Sequence, residues 1–141
     1  MSSLSFPDIN VWLALATPEH TNAAFARRWW DKESGQIGFS RFTQLGFLRL
    51  MTTAAAMDGK PLTMKDAWRV YDRFFDDERV VWIPEPDDID TFFRSYTAAR
   101  TASPKIWSDA WLLAFCRSTG GILATFDRAL AKHGARCLLP R

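Results

Sequence analysis

Three aspartates each adjoin a short apolar run. Asp8 follows Leu4-Ser5-Phe6-Pro7, Asp109 leads Ala110-Trp111-Leu112-Leu113-Ala114-Phe115-Cys116, and Asp127 follows Gly121-Ile122-Leu123-Ala124-Thr125-Phe126. The first and third runs predict buried strands with the acid at the strand end, where open α/β sheets bind ligands. Carboxylates gathered there from distant parts of the chain repel one another unless a cation lies between them. Magnesium and manganese take oxygen ligands; bound, such an ion polarises a phosphoryl oxygen and activates water. The pattern therefore points to a metal-dependent phosphodiesterase site.

Each acid alone also has an ordinary structural use. Asp8 is a favoured helix N-cap, and Asn10, two residues on, either forms a turn or orients Asp8 and a bound water. Asp109 falls in the first turn of an apolar helix, where the dipole favours negative charge, with Ser108 as a candidate cap. Asp127 can cap the short helix it opens, and Thr125 can hydrogen-bond at the strand end. The joint pattern, all three on one plausible edge of one sheet, carries the functional reading.

The elements that must position these residues follow from periodicity and breakers. Leu4–Phe6 predicts a strand, Ile9–Ala16 a helix stopped near Pro18, and Glu19–Lys32 a second helix. Gln36–Phe39 predicts a strand, and Ser40 caps a third helix reaching about Met57. Thr63 caps a fourth helix whose Met64, Ala67, Trp68, Tyr71, Phe74 and Phe75 lie on one face. Arg79–Ile83 predicts a strand, Asp87–Arg100 a helix, and Trp107–Ser118 a buried helix. Ile122–Thr125 predicts a strand, Asp127–His133 a short helix capped by Gly134, and Arg136–Leu139 a last strand. Alternation of strands and helices predicts a single α/β domain over residues 1–141, with a small central parallel sheet surrounded by α-helices.

With 141 residues, 48% hydrophobic and 24% charged, the chain can bury a real core. A formal net charge of +2 permits an anionic partner without demanding one. Cys116 and Cys137, the only cysteines, read as free thiols suited to a reducing cytosol. With His20 and His133 they assemble no zinc motif. The N-terminus lacks the basic-then-apolar pattern of a secretory signal, and no apolar run approaches membrane-spanning length.

The stretches Pro7-Asp8-Ile9-Asn10-Val11-Trp12-Leu13-Ala14-Leu15, Thr43-Gln44-Leu45-Gly46-Phe47-Leu48-Arg49-Leu50-Met51-Thr52, Ser108-Asp109-Ala110 and Leu123-Ala124-Thr125-Phe126-Asp127 occur in an order that covers nearly the whole chain. In them the chain resembles the PIN-domain ribonucleases, specifically the VapC-type toxins of bacterial toxin–antitoxin pairs. The resemblance implies a PIN-like fold and hydrolysis of RNA phosphodiester bonds with Mg2+ or Mn2+. It implies that Asp8, Asp109 and Asp127 ligate the metal or orient its water. It also implies a cytoplasmic bacterial protein, a homodimer, and a cognate antitoxin that binds across the active-site groove.

Two positions depart from the family pattern. Gln44 stands where a glutamate is common early in the third helix, and Ala129 where many relatives carry another acid. Gln44 is expected either to direct a catalytic water or touch the metal, or to sit at the core boundary hydrogen-bonded to backbone. Arg41 and Lys105 are the candidates to hold RNA phosphates. Arg49 is expected in a structural pair, and the histidines are not expected to be catalytic. The alternative function is a PIN-fold binding module without nuclease activity. A phosphotransfer site on Asp8 fits poorly, because the second acid such chemistry wants is Asn10.

Overall fold

Short, largely apolar runs make four of the five strands, the last being the pair Arg136–Cys137, and helical runs between them cover the sheet. The computed structural model describes residues 3–140. The strands are β1 (Leu4–Pro7), β2 (Gln36–Phe39), β3 (Val80–Trp82), β4 (Ile122–Thr125) and β5 (Arg136–Cys137). The helices are α1 (Ile9–Ala16), α2 (Ala23–Lys32), α3 (Arg41–Met51), α4 (Met64–Phe74), α5 (Ile89–Tyr96) and α6 (Ile106–Thr119), with one turn of 3-10 helix at Leu130–His133. All strand pairs are parallel, in the order β3-β2-β1-β4-β5.

That order sets the site. The chain winds from β1 through β2 to β3 on one side, then crosses to β4 on the other side of β1 and continues to β5. The winding direction reverses between β1 and β4, and such a reversal opens a crevice at the carboxyl ends of the two strands. Asp8 directly follows β1, and Asp127 lies two residues beyond β4.

Helices cover both faces. On one, Val11 and Trp12 of α1, Phe47 and Met51 of α3, and Ala67 and Tyr71 of α4 pack on Ile37, Phe39 and Val80. Phe39 is the hub: Trp12 stacks on it at 3.7 Å between centroids, and Tyr71 packs at 4.8 Å. On the other face, Phe6 and Leu123 meet Leu112 and Phe115 of α6 and Ile89 of α5. Phe6 and Phe115 meet edge to face at 4.7 Å. Gly46 lets α3 approach α1, since a Cβ there would stand 2.2 Å from Ile9 Cδ1. Gly134 ends the 3-10 turn at φ 93°, where glycine carries no Cβ penalty.

Three helices are shorter than the sequence pattern suggests: two end early, each at a threonine, and one begins late. The third stops at Met51, not near Met57, because Thr52 turns its hydroxyl back onto the Leu48 carbonyl at 3.0 Å. The fifth stops at Tyr96, not Arg100, with the Thr97 hydroxyl on the Phe93 carbonyl at 2.8 Å. Such back-bonding offers the chain an alternative to the next helical bond. The second helix begins at Ala23 and not Glu19, since residues 17–22 form turns in which the Asn22 N–H donates to His20 Nδ1 at 3.0 Å. The segment after Asp127 forms a single 3-10 turn, and β5 spans two residues.

Candidate functional site

Asp8 performs the structural role its type favours. It caps α1, with Oδ1 accepting from the Ile9 N–H at 2.7 Å. Its own N–H donates to the Ala124 carbonyl at 2.8 Å, which carries the β1–β4 pairing past the strand end. Oδ2 accepts from the Thr125 hydroxyl at 3.2 Å. Thr125 is 1% exposed, and its oxygen also accepts from the Asp127 N–H at 3.0 Å. A hydroxyl can donate and accept at once, so this one atom ties the two strand ends together. Asp127 in turn accepts from the Ala129 N–H at 2.9 Å through Oδ1.

The electrostatics go beyond capping. Burial pushes the Asp8 carboxyl above its ordinary range, and the charges of Asp109 and Asp127 push it further the same way. Asp109, half-buried in the first turn of α6, is raised by burial and by Asp127. Among the described residues no cation offsets these effects on either group. Cys116, two turns beyond Asp109 on the same helix, has its thiol pushed up to about 12 by burial and by the charge of Asp8. One end of α6 thus supplies an acid to the cluster, and the next turns supply its apolar floor.

The sheet edge therefore gathers the three predicted acids as mutually repelling charges. Among the described residues, no group of three or more His, Cys, Asp or Glu is already placed to hold a metal ion. The donor chemistry suits a hard divalent cation: carboxylate oxygens, one of them desolvated, with no lysine or arginine paired to them among the described residues. Surface hollows lie away from the acids: two of about 420 Å3, one beside His20 and Asp58 and one between Phe93 and Trp107, one of about 400 Å3 at the α5–α6 connection, and one of about 380 Å3 between α3 and α4.

The other candidates divide. Asn10 is exposed in α1 and makes no hydrogen bond to Asp8 among the described residues. Ser108 is not a cap, since α6 begins at Ile106 with Lys105 at the cap position and no side-chain bond there. Gln44 is buried, but its partner is not backbone: Arg41 Nη1 donates to its Oε1. The Gln44 amide and Arg41 both bear on the Tyr71 hydroxyl, which burial drives upward and these neighbours draw back. Gln44 is not among the groups that act on Asp8 or Asp109. Lys105 is exposed at the head of α6. Arg49 is exposed and in no ion pair among the described residues, so the expected structural pair is absent. His20 stacks near Phe126 at 6.1 Å, and burial lowers its pKa.

Two features escaped the sequence. Cys116 faces the acid cluster, which its seven-residue spacing from Asp109 on a helix signals in retrospect. Arg41 lies over the Trp82 ring, 4.6 Å from its centroid, a contact between elements that no spacing encodes.

Comparison with known proteins gives concordant results. The family described as PIN domain matches residues 5–135. Ribonuclease VapC41 from two strains of Mycobacterium tuberculosis is 38% identical over 133 residues, covering 90% of this chain and 91% of the relative. The crystal structure of Mycobacterium tuberculosis VapC20, a sarcin-ricin-loop-cleaving toxin, superposes with a TM-score of 0.68 at 14% identity, over 93% of this chain and 95% of that one.

Proposed function

Because the chain belongs to the PIN-domain family, we propose that it is a metal-dependent endoribonuclease toxin in which Asp8, Asp109 and Asp127 hold the metal. The observation that carries this is the environment of Asp8. It is a desolvated carboxylate whose charged neighbours among the described residues are two further carboxylates, with no cation among them acting on it. Unpaired charge is costly to bury, and convergent unpaired charge of one sign is tolerated where a ligand of opposite sign completes it.

A divalent ion, Mg2+ or Mn2+, held by Asp8, Asp109 and Asp127 would supply a Lewis acid for a phosphoryl oxygen and lower the pKa of a bound water. The chain's own residues prepare for it. Pairing of β1 with β4, continued through the Asp8 N–H, fixes the Asp8 backbone. Thr125 holds one Asp8 oxygen and the backbone of Asp127, which sets the distance between those two acids. Asp109 arrives rigidly on α6, packed through Phe115 against Phe6. Lys105 at the head of α6 and Arg41 at the head of α3 are the cations available for RNA phosphates. Gln44 acts as a positioning residue for Arg41.

Family membership extends the proposal to partners: a cognate antitoxin, a homodimer, and a place in the bacterial cytoplasm. No helix among the described residues is long and apolar enough to cross a membrane. The test is cleavage of RNA with added magnesium or manganese by the parent, Asp8→Asn and Asp109→Asn proteins. Loss in both variants supports the reading, and equal activity in all three overturns it. A parent that neither cleaves RNA nor binds manganese saturably is the non-catalytic binding module instead.

A further inference from the structure

Three tryptophans are more than a third exposed: Trp68 at 47%, Trp82 at 37% and Trp107 at 55%. Among them Trp82 alone carries a guanidinium, that of Arg41. Trp82 is the last residue of β3, and Arg41 is the first of α3, which follows β2. Both therefore stand on the same carboxyl edge of the sheet as Asp8. With two strand spacings between β3 and β1, the platform is about 10 Å along that edge from Asp8.

Arg41 is held, not free. It donates to Gln44 Oε1, and Gln44 is fixed by burial beside Tyr71, itself packed on Phe39. Phe39 is paired in register with Trp82, so the loop of contacts closes on itself. The partner of Arg41 is a neutral amide, and no carboxylate pairs with Arg41 among the described residues. A glutamate at position 44 would take the same hydrogen bond and cancel the charge. With an amide at position 44, Arg41 keeps its charge and stands as an exposed cation laid on an aromatic ring.

We propose that Arg41 and Trp82, positioned by Gln44, form a platform for single-stranded RNA beside the aspartates: a base stacks on the Trp82–Arg41 plane, and the guanidinium edge meets the neighbouring phosphate. This rests on the ribonuclease reading for its substrate class. A flat π surface with a fixed cation suits nucleobase stacking and backbone charge together. The charge is complementary to RNA, and the platform continues the edge on which cleavage is placed.

The experiment is equilibrium binding of a labelled single-stranded 2′-O-methyl oligonucleotide in EDTA, read by fluorescence anisotropy so that no turnover is needed. Trp82→Ala and Arg41→Ala should each weaken binding roughly tenfold, and Trp82→Phe should retain most of it. Arg41→Ala should also reduce the salt slope by about one. Gln44→Glu should weaken binding several-fold while the melting temperature holds. Trp68→Ala, on the α3–α4 surface, is the control and should bind like the parent. In cleavage assays the platform variants should raise KM with kcat retained.

Folded Trp82→Ala and Arg41→Ala proteins that bind within twofold of the parent overturn the proposal. Should Trp82→Ala fail to fold, Arg41→Ala decides on the same criterion. A polyglutamate peptide that binds as tightly as the oligonucleotide, with the same dependence on Trp82, overturns the nucleic-acid assignment in favour of an acidic protein partner. Oligonucleotide binding that depends on Trp82 in a protein without metal-dependent cleavage sinks the nuclease reading and leaves the platform standing.

Discussion

The two ends of the sheet handle charge in opposite ways. At the amino end, Arg79 just before β3 is satisfied on every side. It donates to both oxygens of Asp77, at 3.0 and 2.8 Å, and to the carbonyls of Trp30 and Glu33 at the end of α2. Its guanidinium also lies over the Trp30 ring at 4.7 Å. The pair holds Asp77 below its ordinary pKa and Arg79 above its own. At the carboxyl end, Asp8 and Asp109 are raised, with like charges around them and no cation acting on them among the described residues. One end shows charge arranged to hold α2 against β3; the other shows like charges unpaired among the described residues, as the proposed metal site requires. The difference teaches that a buried ionisable group is read by its neighbours, not by its type.

The comparison breaks first, and most visibly, at Asp8. Asp8→Asn keeps the cap on Ile9, because asparagine caps as well as aspartate, and removes the desolvated charge. Metal-dependent RNA cleavage should fall on the order of a hundredfold or more. The metal-free protein should melt at the same temperature as the parent or a few degrees higher. A clear fall in melting temperature, measured by circular dichroism in EDTA, would mean that Asp8 is structural and the contrast false.

Arg79→Ala should do the reverse. It strands Asp77 and uncaps the last carbonyls of α2, costing about 2 kcal/mol. That corresponds to several degrees in melting temperature for a chain of this size. Specific activity of the folded fraction should stay within about twofold. Urea titration gives the stability, and cleavage at low temperature gives the activity. A large activity loss without destabilisation would place Arg79 in the machinery.

Thr125 sits where the two behaviours meet. Thr125→Val preserves shape but strands Asp8 Oδ2 and the Asp127 N–H, while Thr125→Ser keeps the hydroxyl. The valine variant should lose about 1 kcal/mol and roughly tenfold in activity. The serine variant should recover most of the activity. Equal loss in both would assign the effect to packing rather than to the bridge.

The same contrast explains what the sequence disclosed. β2, β4 and α1 match their predicted bounds because each begins and ends on strong local signals: Ser34-Gly35, Gly120-Gly121, Asp8 and Pro18. That the three acids share one edge was legible because each sits at an element boundary, and the strand order brings those boundaries together. Early helix ends at Thr52 and Thr97 were not, since threonine back-bonding is a choice made by a hydroxyl rotor and not by hydrophobic period. The Arg79 hub and the Arg41–Trp82 contact join residues more than forty positions apart in sequence, and no periodicity reports such pairs. Gln44 was visible as a departure, but its meaning required seeing Arg41 fold back onto it.

pH should separate the two ends with the smallest but most specific effect. Asp8 and Asp109 have folded pKa values raised above the ordinary 3.8, so the folded state binds protons there more readily than the unfolded chain. Stability from this end is therefore greatest in acid and is lost as pH rises through the folded values. Asp77 is lowered, so its contribution is present above 3.8 and is lost only as pH falls through its folded value. In EDTA, lowering the pH from 8 toward 3.8 should raise the melting temperature of the parent relative to an Asp8→Asn, Asp109→Asn double variant. Below pH 4 the parent should lose stability more steeply than Asp77→Asn, whose ion pair is already absent. Saturating manganese should replace protons as the counter-charge, so its stabilising effect should be larger at pH 8 than at pH 5 and should vanish in the double variant. A manganese effect equal at both pH values, or retained when both carboxylates are amides, would locate the ion away from this edge and remove the distinction between the two ends of the sheet.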